Sequence, residues 1–205
     1  MRTFAQAVAM TVVLFVVLGI VYPLVMVGLG ELIFPWQAHG SLVVRDGHVV
    51  GSELIGQNFS GAGYFHPRPS AAGDKGYDAS GSSGSNLAPS NKQLIDAVKT
   101  RLGTVLEENP GVTANQIPPD MVTTSGSGLD PEITQADAEL QVPRVAKARG
   151  LSEEQVKALI ASNTRPPSAG LFGEPGVNVL TLNLALDVSA KQTAGNESHS
   201  PYKGR

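Results

Sequence analysis

The feature that most constrains the fold of this chain is an apolar segment from Thr3 to Gly30, which contains no acidic or basic side chain. An α-helix of this length, at about 1.5 Å per residue, exceeds the roughly 30 Å hydrocarbon layer of a bilayer. The apolar region of a cleaved signal peptide is shorter, about 7 to 15 residues, and ends at a small-x-small site. No A-x-A sequence lies directly after this segment. We therefore predict a retained membrane anchor in residues 1–36, with the span at about residues 5–30 and a kink at Pro23.

The charges on either side of this segment predict its orientation. Arg2 and the free amino group precede it, whereas the first charged residue after it is Glu31, followed by Arg45 and Asp46. Because positively charged flanks of a membrane helix stay on the cytoplasmic side, we expect a cytoplasmic N-terminus. Residues 37–205 would then lie on the outer side of the membrane.

The composition of the remaining chain limits the classes of function. Residues 37–187 are enough for a single domain with a modest core. The 205-residue chain carries a net charge of −3, and its sequence has no clustered basic stretch of the kind that binds nucleic acid. Cysteine is absent, which excludes disulfides, thiolate metal sites and a cysteine nucleophile.

Local patterns predict an α+β fold, in which one transmembrane helix precedes a single soluble domain of several helices and a small sheet. Asp46-Gly47, between two short β-branched runs, predicts a hairpin. Apolar residues at steps of three and four from Leu94 to Leu106 predict a helix. Ser90 and Gln93 have the spacing of a capping box at its start.

A second helix is predicted to follow the second glycine- and serine-rich segment. Asp130 is a good N-cap, and Pro131 is favoured in the first helical position. Gly150 predicts the end of this helix. Because Pro143 lacks an N–H, we expect a kink or a fresh start near Val142.

The C-terminal part of the chain contains three further signals. Ser152 to Gln155 is a capping box ahead of a short helix. Residues 177–187 alternate apolar and polar side chains, with a slip of one residue at Val179-Leu180, which predicts a strand with a bulge. Residues 188–205 contain almost no apolar side chains, and we predict a disordered tail there.

The segment of residues 51–90 is rich in glycine, serine and proline, but aromatic residues such as Phe59, Tyr64 and Tyr77 are spaced through it. A disordered surface loop is one interpretation, although a flexible linker would lack such rings. Long loops without regular structure are uncommon in compact domains unless they are functional. We therefore predict an ordered loop whose aromatic residues hold it to the domain or to a partner.

The sequence contains no pattern of residues that is typical of catalysis or of metal binding. Its histidines lie at scattered positions, without the spacing that places two of them on one helical face. It has neither a G-x-S-x-G nucleophile elbow nor a G-x-x-x-x-G-K-[ST] phosphate loop. An S-x-x-K match at Ser200 to Lys203 lacks its partner motifs. These observations favour a membrane-anchored accessory subunit over the alternative of an anchored periplasmic hydrolase or sensor.

Seven ordered blocks of sequence carry a resemblance to a known family: GSELIGQNF, GYFHPRPSA, YDA, SGSNL, SGSGLDP, QVPRVAKARGLS and GEPGVNVLTLNLAL. Together with VYPL and FPWQAHGSL, they resemble the C subunit of bacterial Kdp potassium-transporting P-type ATPases, as far as Leu186. The resemblance implies a four-subunit pump of the bacterial inner (plasma) membrane. The implied partners are a potassium-channel-like subunit, an ATP-hydrolysing subunit and a small single-span subunit.

In that family the C subunit is the single-span accessory needed for assembly, with an assigned role as a catalytic chaperone that raises the ATP affinity of the hydrolysing subunit. The resemblance implies ATP as a weakly held ligand and places the nucleotide glutamine at Gln155. The predicted topology conflicts with that role, because residues 37–205 would lie outside and ATP is inside. The alternative is an outward-facing cap over the potassium entrance, with only an indirect effect on ATP hydrolysis.

We expect partner contacts on loops that the core does not need. Arg68 lies between two prolines, which suits an extended segment with a fixed hydrogen-bonding group. Arg144 and Arg149 are equally suited to a structural role near a helix C-terminus. The predicted contact residues lie in the two glycine- and serine-rich segments: Gln57, Asn58, Phe59, Tyr64, Phe65, Arg68, Ser85, Asn86, Ser125, Ser127 and Asp130.

Overall fold

The structure is a computed structural model that describes residues 1–167 and 170–197. Its elements are a long N-terminal helix, further helices and two small sheets, so the predicted α+β class is confirmed. The chain divides into two compact units, one of residues Met1–Ser52 and one that begins at Glu53. The first unit therefore includes the hairpin, which the prediction had assigned to the soluble domain.

The first unit begins with one helical rod, Arg2–Ile33, which is long and apolar enough to cross a membrane. It consists of α1 (Arg2–Val16), a π-helical turn (Val17–Val21) and α2 (Tyr22–Ile33). The wider π turn precedes Pro23, whose ring lacks an N–H and crowds the preceding turn of a regular helix. At the proline where a kink was predicted, the structure thus has a local widening of the helix.

After the short helix α3 (Pro35–Ala38), strands β1 (Leu42–Arg45) and β2 (His48–Ser52) form an antiparallel hairpin. Arg45 pairs with His48, so Asp46 and Gly47 are the two turn residues. Both have positive φ, 51° and 78°, as a type I′ turn requires. The hairpin prediction is confirmed.

The second unit begins with a long loop and then α4 (Lys92–Glu108), which is confirmed as a helix. Its N-cap differs from the prediction. Asn91, not Ser90, caps the helix, because the Asn91 side chain accepts a hydrogen bond from the N–H of Gln93. Two short 3₁₀ turns follow, Ala114–Gln116 and Pro119–Met121.

A helix does not start at Asp130, where one was predicted. Asp130 accepts hydrogen bonds from Arg68 and from its neighbour Glu132, and the chain continues as β3 (Glu132–Thr134). Thr134 is the N-cap of α5 (Gln135–Arg149). The N-cap is Thr134 rather than Asp130 because residues 132–134 form an edge strand of the second sheet.

Helix α5 runs without a break through Pro143, so a fresh start near Val142 is wrong, while the alternative of a kink there stays a prediction. Pro143 has no N–H to donate to the Glu139 carbonyl, but both residues are exposed, so water can satisfy that carbonyl. Gly150 ends the helix in the left-handed conformation, as predicted, and the N–H of Leu151 bonds back to Ala146. Helix α6 (Glu153–Ser162) follows, with the predicted capping box of Ser152 and Gln155.

The predicted strand over residues 177–187 is also wrong. Only β5 (Gly176–Asn178) is extended, and α7 (Val179–Glu197) begins at the slip of the apolar pattern. Val179, Leu182 and Leu186 are buried at steps of three and four, which marks one face of a helix rather than of a strand.

Helix α7 also corrects the prediction of a tail from residue 188. The helix extends to Glu197, so residues 188–197 are not a disordered tail, and residues 198–205 lie outside the described residues. The polar composition was not decisive, because these residues continue a helix that the apolar residues before them hold in the core.

Strand β5 lies between β3 and β4 (Thr164–Arg165) in an antiparallel sheet. Helices α5, α6 and α7 pack with this sheet around one core. That core also contains one residue of the long loop, Phe65, which is fully buried. The core residues are Phe65, Ile133, Ala138, Val142, Val145, Ala146, Leu151, Val156, Ile160, Val177, Val179, Leu182 and Leu186.

Candidate partner-binding surface

Two buried side-chain amides hold the middle of the long loop. Asn183 Oδ1 accepts a hydrogen bond from Phe65 N at 2.8 Å, and Asn183 Nδ2 donates to Phe65 O at 3.0 Å. Gln141 bonds to the backbone of the next residue in the same way. Gln141 Oε1 accepts a hydrogen bond from His66 N at 2.8 Å, and Gln141 Nε2 donates to His66 O at 3.1 Å. Both amides are 1% exposed. Each therefore replaces the partner strand that an extended backbone would otherwise need.

Two arginines hold the preceding residues of the same loop. Arg144 Nη1 donates to Ala62 O at 2.7 Å and to Tyr64 O at 3.0 Å. Arg149 Nε donates to Gly63 O at 2.6 Å, and its guanidinium lies 4.3 Å from the centre of the Tyr64 ring. Both arginines thus have structural roles, which was one of the two predicted possibilities.

The next part of the loop is joined to residues 125–130. Ser70 Oγ donates to Gly128 O at 2.6 Å and accepts a hydrogen bond from Tyr77 N at 2.7 Å. The hydroxyl of Tyr77 donates to Arg68 O at 2.6 Å, and Arg68 Nη1 lies 3.0 Å from Asp130 Oδ2. The order predicted for this loop is therefore present, and hydrogen bonds from polar side chains supply much of it.

The structure divides the predicted contact residues into accessible and inaccessible ones. Phe65 and Ser125 are buried, so neither offers a surface to a partner in this chain. Phe65 is a core residue because its ring fills the space between α5 and α7, and Phe59 packs against the same core. The accessible ones are partly or fully exposed: Gln57, Asn58, Phe59, Tyr64, Arg68, Ser85, Asn86, Ser127 and Asp130.

A cleft of about 210 Å³ lies beside the loop and contains titratable groups that the sequence did not indicate. His66 Nδ1 is 3.2 Å from Glu108 Oε2, while burial and the charge of Arg144 lower the pKa of His66. Asp137 is 1% exposed, and burial together with the nearby Asp120 carboxylate raises its pKa to about 8. A carboxyl group in this state is largely protonated at neutral pH.

Gln155 does not have the surroundings of a nucleotide site. Its Oε1 accepts a hydrogen bond from Ser152 N at 2.9 Å, and its own N–H donates to Ser152 Oγ at 3.2 Å, so the side chain is part of the helix cap. Glu153 and Glu154 occupy the first turn beside it. Two carboxylates next to the glutamine would repel the phosphates of ATP, and these residues do not fit that ligand.

Several residues that organise this surface were missed from the sequence. Asn183, Gln141 and Ser70 are single polar residues without a motif. The usable signal was position: Asn183 and Gln141 fall on the buried faces of α7 and α5, where a polar side chain must find hydrogen-bond partners.

A single apolar helix that is long enough to span a membrane precedes a small α+β unit with a side-chain-fixed polar loop, an arrangement that is typical of membrane-associated proteins. The family model for the K+-transporting ATPase c chain, KdpC, matches residues 4–188. The chain therefore belongs to the KdpC family, the predicted resemblance is confirmed, and the chain is an accessory subunit of a potassium-transporting ATPase.

Similar proteins cover nearly the whole chain. The potassium-transporting ATPase KdpC subunit of Acidobacterium capsulatum is 56% identical over 187 residues, which are 91% of this chain and 98% of that protein. The KdpC subunit of Koribacter versatilis is 51% identical over 91% of this chain and 94% of its own length. The KdpC subunit of Mycobacterium tuberculosis is 53% identical over 91% and 98%.

Proposed function

We propose that this chain is a non-catalytic subunit that holds a potassium-transporting ATPase together through protein contacts. The helix Arg2–Ile33 anchors it in the bacterial inner membrane, and the unit from Glu53 docks onto other subunits. The partners in this proposal are a potassium-channel-like subunit, an ATP-hydrolysing subunit and a small single-span subunit. The observation that carries the proposal is the long loop, which is fixed by buried side chains and presents a polar surface.

Fixing such a loop has an entropy cost that is offset less than in a helix or a sheet. Each ordered residue loses roughly 1–2 kcal/mol of backbone entropy, and this loop has few ladder hydrogen bonds to offset that loss. Asn183, Gln141, Arg144 and Arg149 are used to hold its backbone in one shape. A pre-formed surface is useful for docking, because a partner then does not have to order the loop on binding.

In this proposal, any effect on ATP affinity reaches the hydrolysing subunit through these protein contacts and the membrane helices. The charge pattern supports this route, since Arg2 is the only charged side chain before the span and favours an N-terminus in the cytoplasm. The unit from Glu53 would then lie on the opposite side from ATP, over the potassium entrance. Activity of a phosphatase fused at the C-terminus only when exported tests this orientation, and activity of a cytoplasmic reporter would contradict it.

The competing mechanism, direct nucleotide contact by Gln155, can be tested with a matched pair of variants. Gln155→Ala and Ser152→Ala each remove one half of the same capping box, so both lose about 0.5–2 kcal/mol of helix stability. We expect the complete pump to have the same KM for ATP with either variant. A severalfold higher KM with Gln155→Ala alone, and not with Ser152→Ala, would establish the nucleotide role and overturn the proposal.

A further inference from the structure

An open pocket of about 180 Å³ lies between the segment that contains Arg68 and the start of the second sheet. Its wall contains the carboxyl groups of Asp120, Asp130, Glu132 and Glu174 and the guanidinium group of Arg68. We call it the acidic pocket. With four acidic residues and one basic residue, its lining carries an excess of negative charge.

The charges of the acidic pocket are only partly balanced from within the chain. Arg68 pairs with Asp130 at 3.0 Å. Arg165 approaches Glu132 at 3.6 Å, but its shorter contact, 2.6 Å, is with Glu53 outside the pocket. In residues 1–167 and 170–197, neither Asp120 nor Glu174 forms an ion pair.

Asp120 supplies a second and independent sign that something is to be bound. The residue is 7% exposed, and its Oδ2 accepts a hydrogen bond from Thr134 N at 2.8 Å. Its Oδ1 is also buried and, among the described residues, has no hydrogen-bond partner, and Asp120 is one of the residues that line the pocket. Arg68 Nε is likewise buried without an acceptor. Buried polar atoms are rarely left without a hydrogen-bond partner. Asp120 Oδ1 therefore lacks a donor, and Arg68 Nε lacks an acceptor.

The spread of the carboxyl groups distinguishes between possible ligands. In the part of the chain that the structure describes, no three His, Cys, Asp or Glu side chains lie close enough together to hold a metal ion. A bare cation would also leave Arg68 Nε without an acceptor. An arginine side chain carries five N–H donors on a planar fork, which can reach carboxylates that one ion cannot touch together. The main chain of the same peptide brings carbonyl acceptors.

We propose that the acidic pocket binds an arginine side chain of another subunit of the pump. This inference rests on the proposed function, since it supplies the docking chemistry of one face of the unit from Glu53. The arginine donates to Asp120 and Glu174, which form no ion pair within the described residues, while Arg68 and Asp130, paired with each other, belong to the same lining. Because charge-assisted contacts of this kind are directional, the pocket fixes the orientation of the docked subunit.

The test measures binding of the full-length chain, in detergent, to the pump purified without this subunit. Glu174 is exposed, so substitutions there leave the fold intact. We expect Glu174→Gln to raise the Kd about threefold to tenfold, and Glu174→Arg to raise it more than tenfold. Asp74→Asn is the matched control, because it removes an exposed loop carboxylate that is not part of the pocket, and we expect an unchanged Kd.

The outcomes separate this inference from the proposed function. If the unaltered chain does not bind the rest of the pump, the proposed function fails. If it binds but Glu174→Arg binds equally well, with the same thermal unfolding, only the acidic pocket inference is overturned. Saturable binding of potassium chloride or magnesium chloride to the isolated chain, abolished by Glu174→Gln at constant ionic strength, would also overturn it in favour of an ion site.

Discussion

The two units of this chain are stabilised in opposite ways. In the helix Arg2–Ile33 the apolar side chains are exposed throughout, so their burial has to come from surroundings such as a bilayer. In the unit from Glu53 an internal apolar core is present, and the contacts that fix the long loop on it are internal and polar, with side-chain amides and guanidinium groups bonded to loop backbone. We therefore expect the apolar helix of the first unit to tolerate exchange of one apolar residue for another, whereas the loop of the second unit depends on single polar side chains.

The largest expected effect comes from removing an amide that holds the loop. Asn183→Leu leaves the N–H and C=O of Phe65 buried without partners, and each such group costs about 1–3 kcal/mol. We expect a loss of about 3 kcal/mol in the free energy of unfolding of the unit from Glu53, measured by denaturant titration of the full chain in micelles. Faster hydrogen exchange at Phe65 and His66 should accompany it.

The control for this variant is Asn58→Leu, at an exposed loop position. A surface change of this kind should alter stability by no more than about 0.5 kcal/mol. Equal losses in the two variants would mean that the loop is not held by Asn183, and the contrast between the units would then disappear.

A smaller loss is expected where two loop segments approach each other at Gly128. Its φ is +67°, and an added Cβ would lie 2.8 Å from Ala72 N and still closer to Ser83 O. Gly128→Ala should therefore cost about 2 kcal/mol through backbone strain and steric overlap. Gly126→Ala is the control, since no atom lies within 4 Å of its added Cβ. Midpoints of thermal unfolding that differ by less than 1 °C between the two variants would contradict the close approach of the two loop segments.

The buried carboxyl group of Asp137 predicts a dependence of stability on pH. Its pKa is raised to about 8 in the folded chain from 3.8, mainly by burial and then by Asp120. Between these values the folded state holds a proton that the unfolded state has released, so this group makes stability fall as pH rises. We expect the free energy of unfolding to fall by a few kcal/mol between about pH 5 and pH 8, since one retained proton costs about 1.4 kcal/mol per pH unit in this range.

Asp137→Asn removes this dependence, because the amide oxygen can still accept the hydrogen bond from Gln141. The variant should show a flatter plot of unfolding free energy against pH and gain most over the unaltered chain near pH 8. Parallel plots for the two proteins would show that Asp137 stays ionised in the folded state.

The smallest effect on stability is expected at Arg68. Its ion pair with Asp130 is partly exposed, at 26% and 30% of the two side chains, and such pairs contribute up to about 1 kcal/mol. Arg68→Ala should thus leave the unfolding of the unit from Glu53 nearly unchanged, while assembly or pump activity falls. Lys75→Ala, an exposed loop cation, is the comparison. A loss of stability that matches the loss of activity would make Arg68 structural only.

The predictions from sequence that were right depend on local signals, although two other local signals, the caps at Ser90 and Asp130, were displaced. The hairpin at Asp46-Gly47, the capping box at Ser152 and the helix end at Gly150 each depend on backbone geometry within a few residues. They failed where neighbours in space decide. Residues 177–187 fit both periods, and packing of Val179, Leu182 and Leu186 into the core selected the helix.

The same division applies to the candidate site. Aromatic residues in a glycine-rich segment correctly predicted an ordered loop, yet Phe65, expected to contact a partner, fills the core instead. The amides that hold the loop, Asn183 and Gln141, are remote from it in sequence. Hydrogen bonds between residues so far apart leave no periodic pattern, so reasoning from one sequence does not find them.

The sequence by itself determined the long apolar helix, the hairpin turn, the capping box at Ser152 and the family to which the chain belongs, because these depend on composition, short-range geometry and blocks of sequence typical of the family. The tertiary structure alone decided which polar side chains are buried and what they bind. A buried polar group is stable only beside its partner, and only the folded chain brings Asn183 to Phe65 or Arg68 to Asp130.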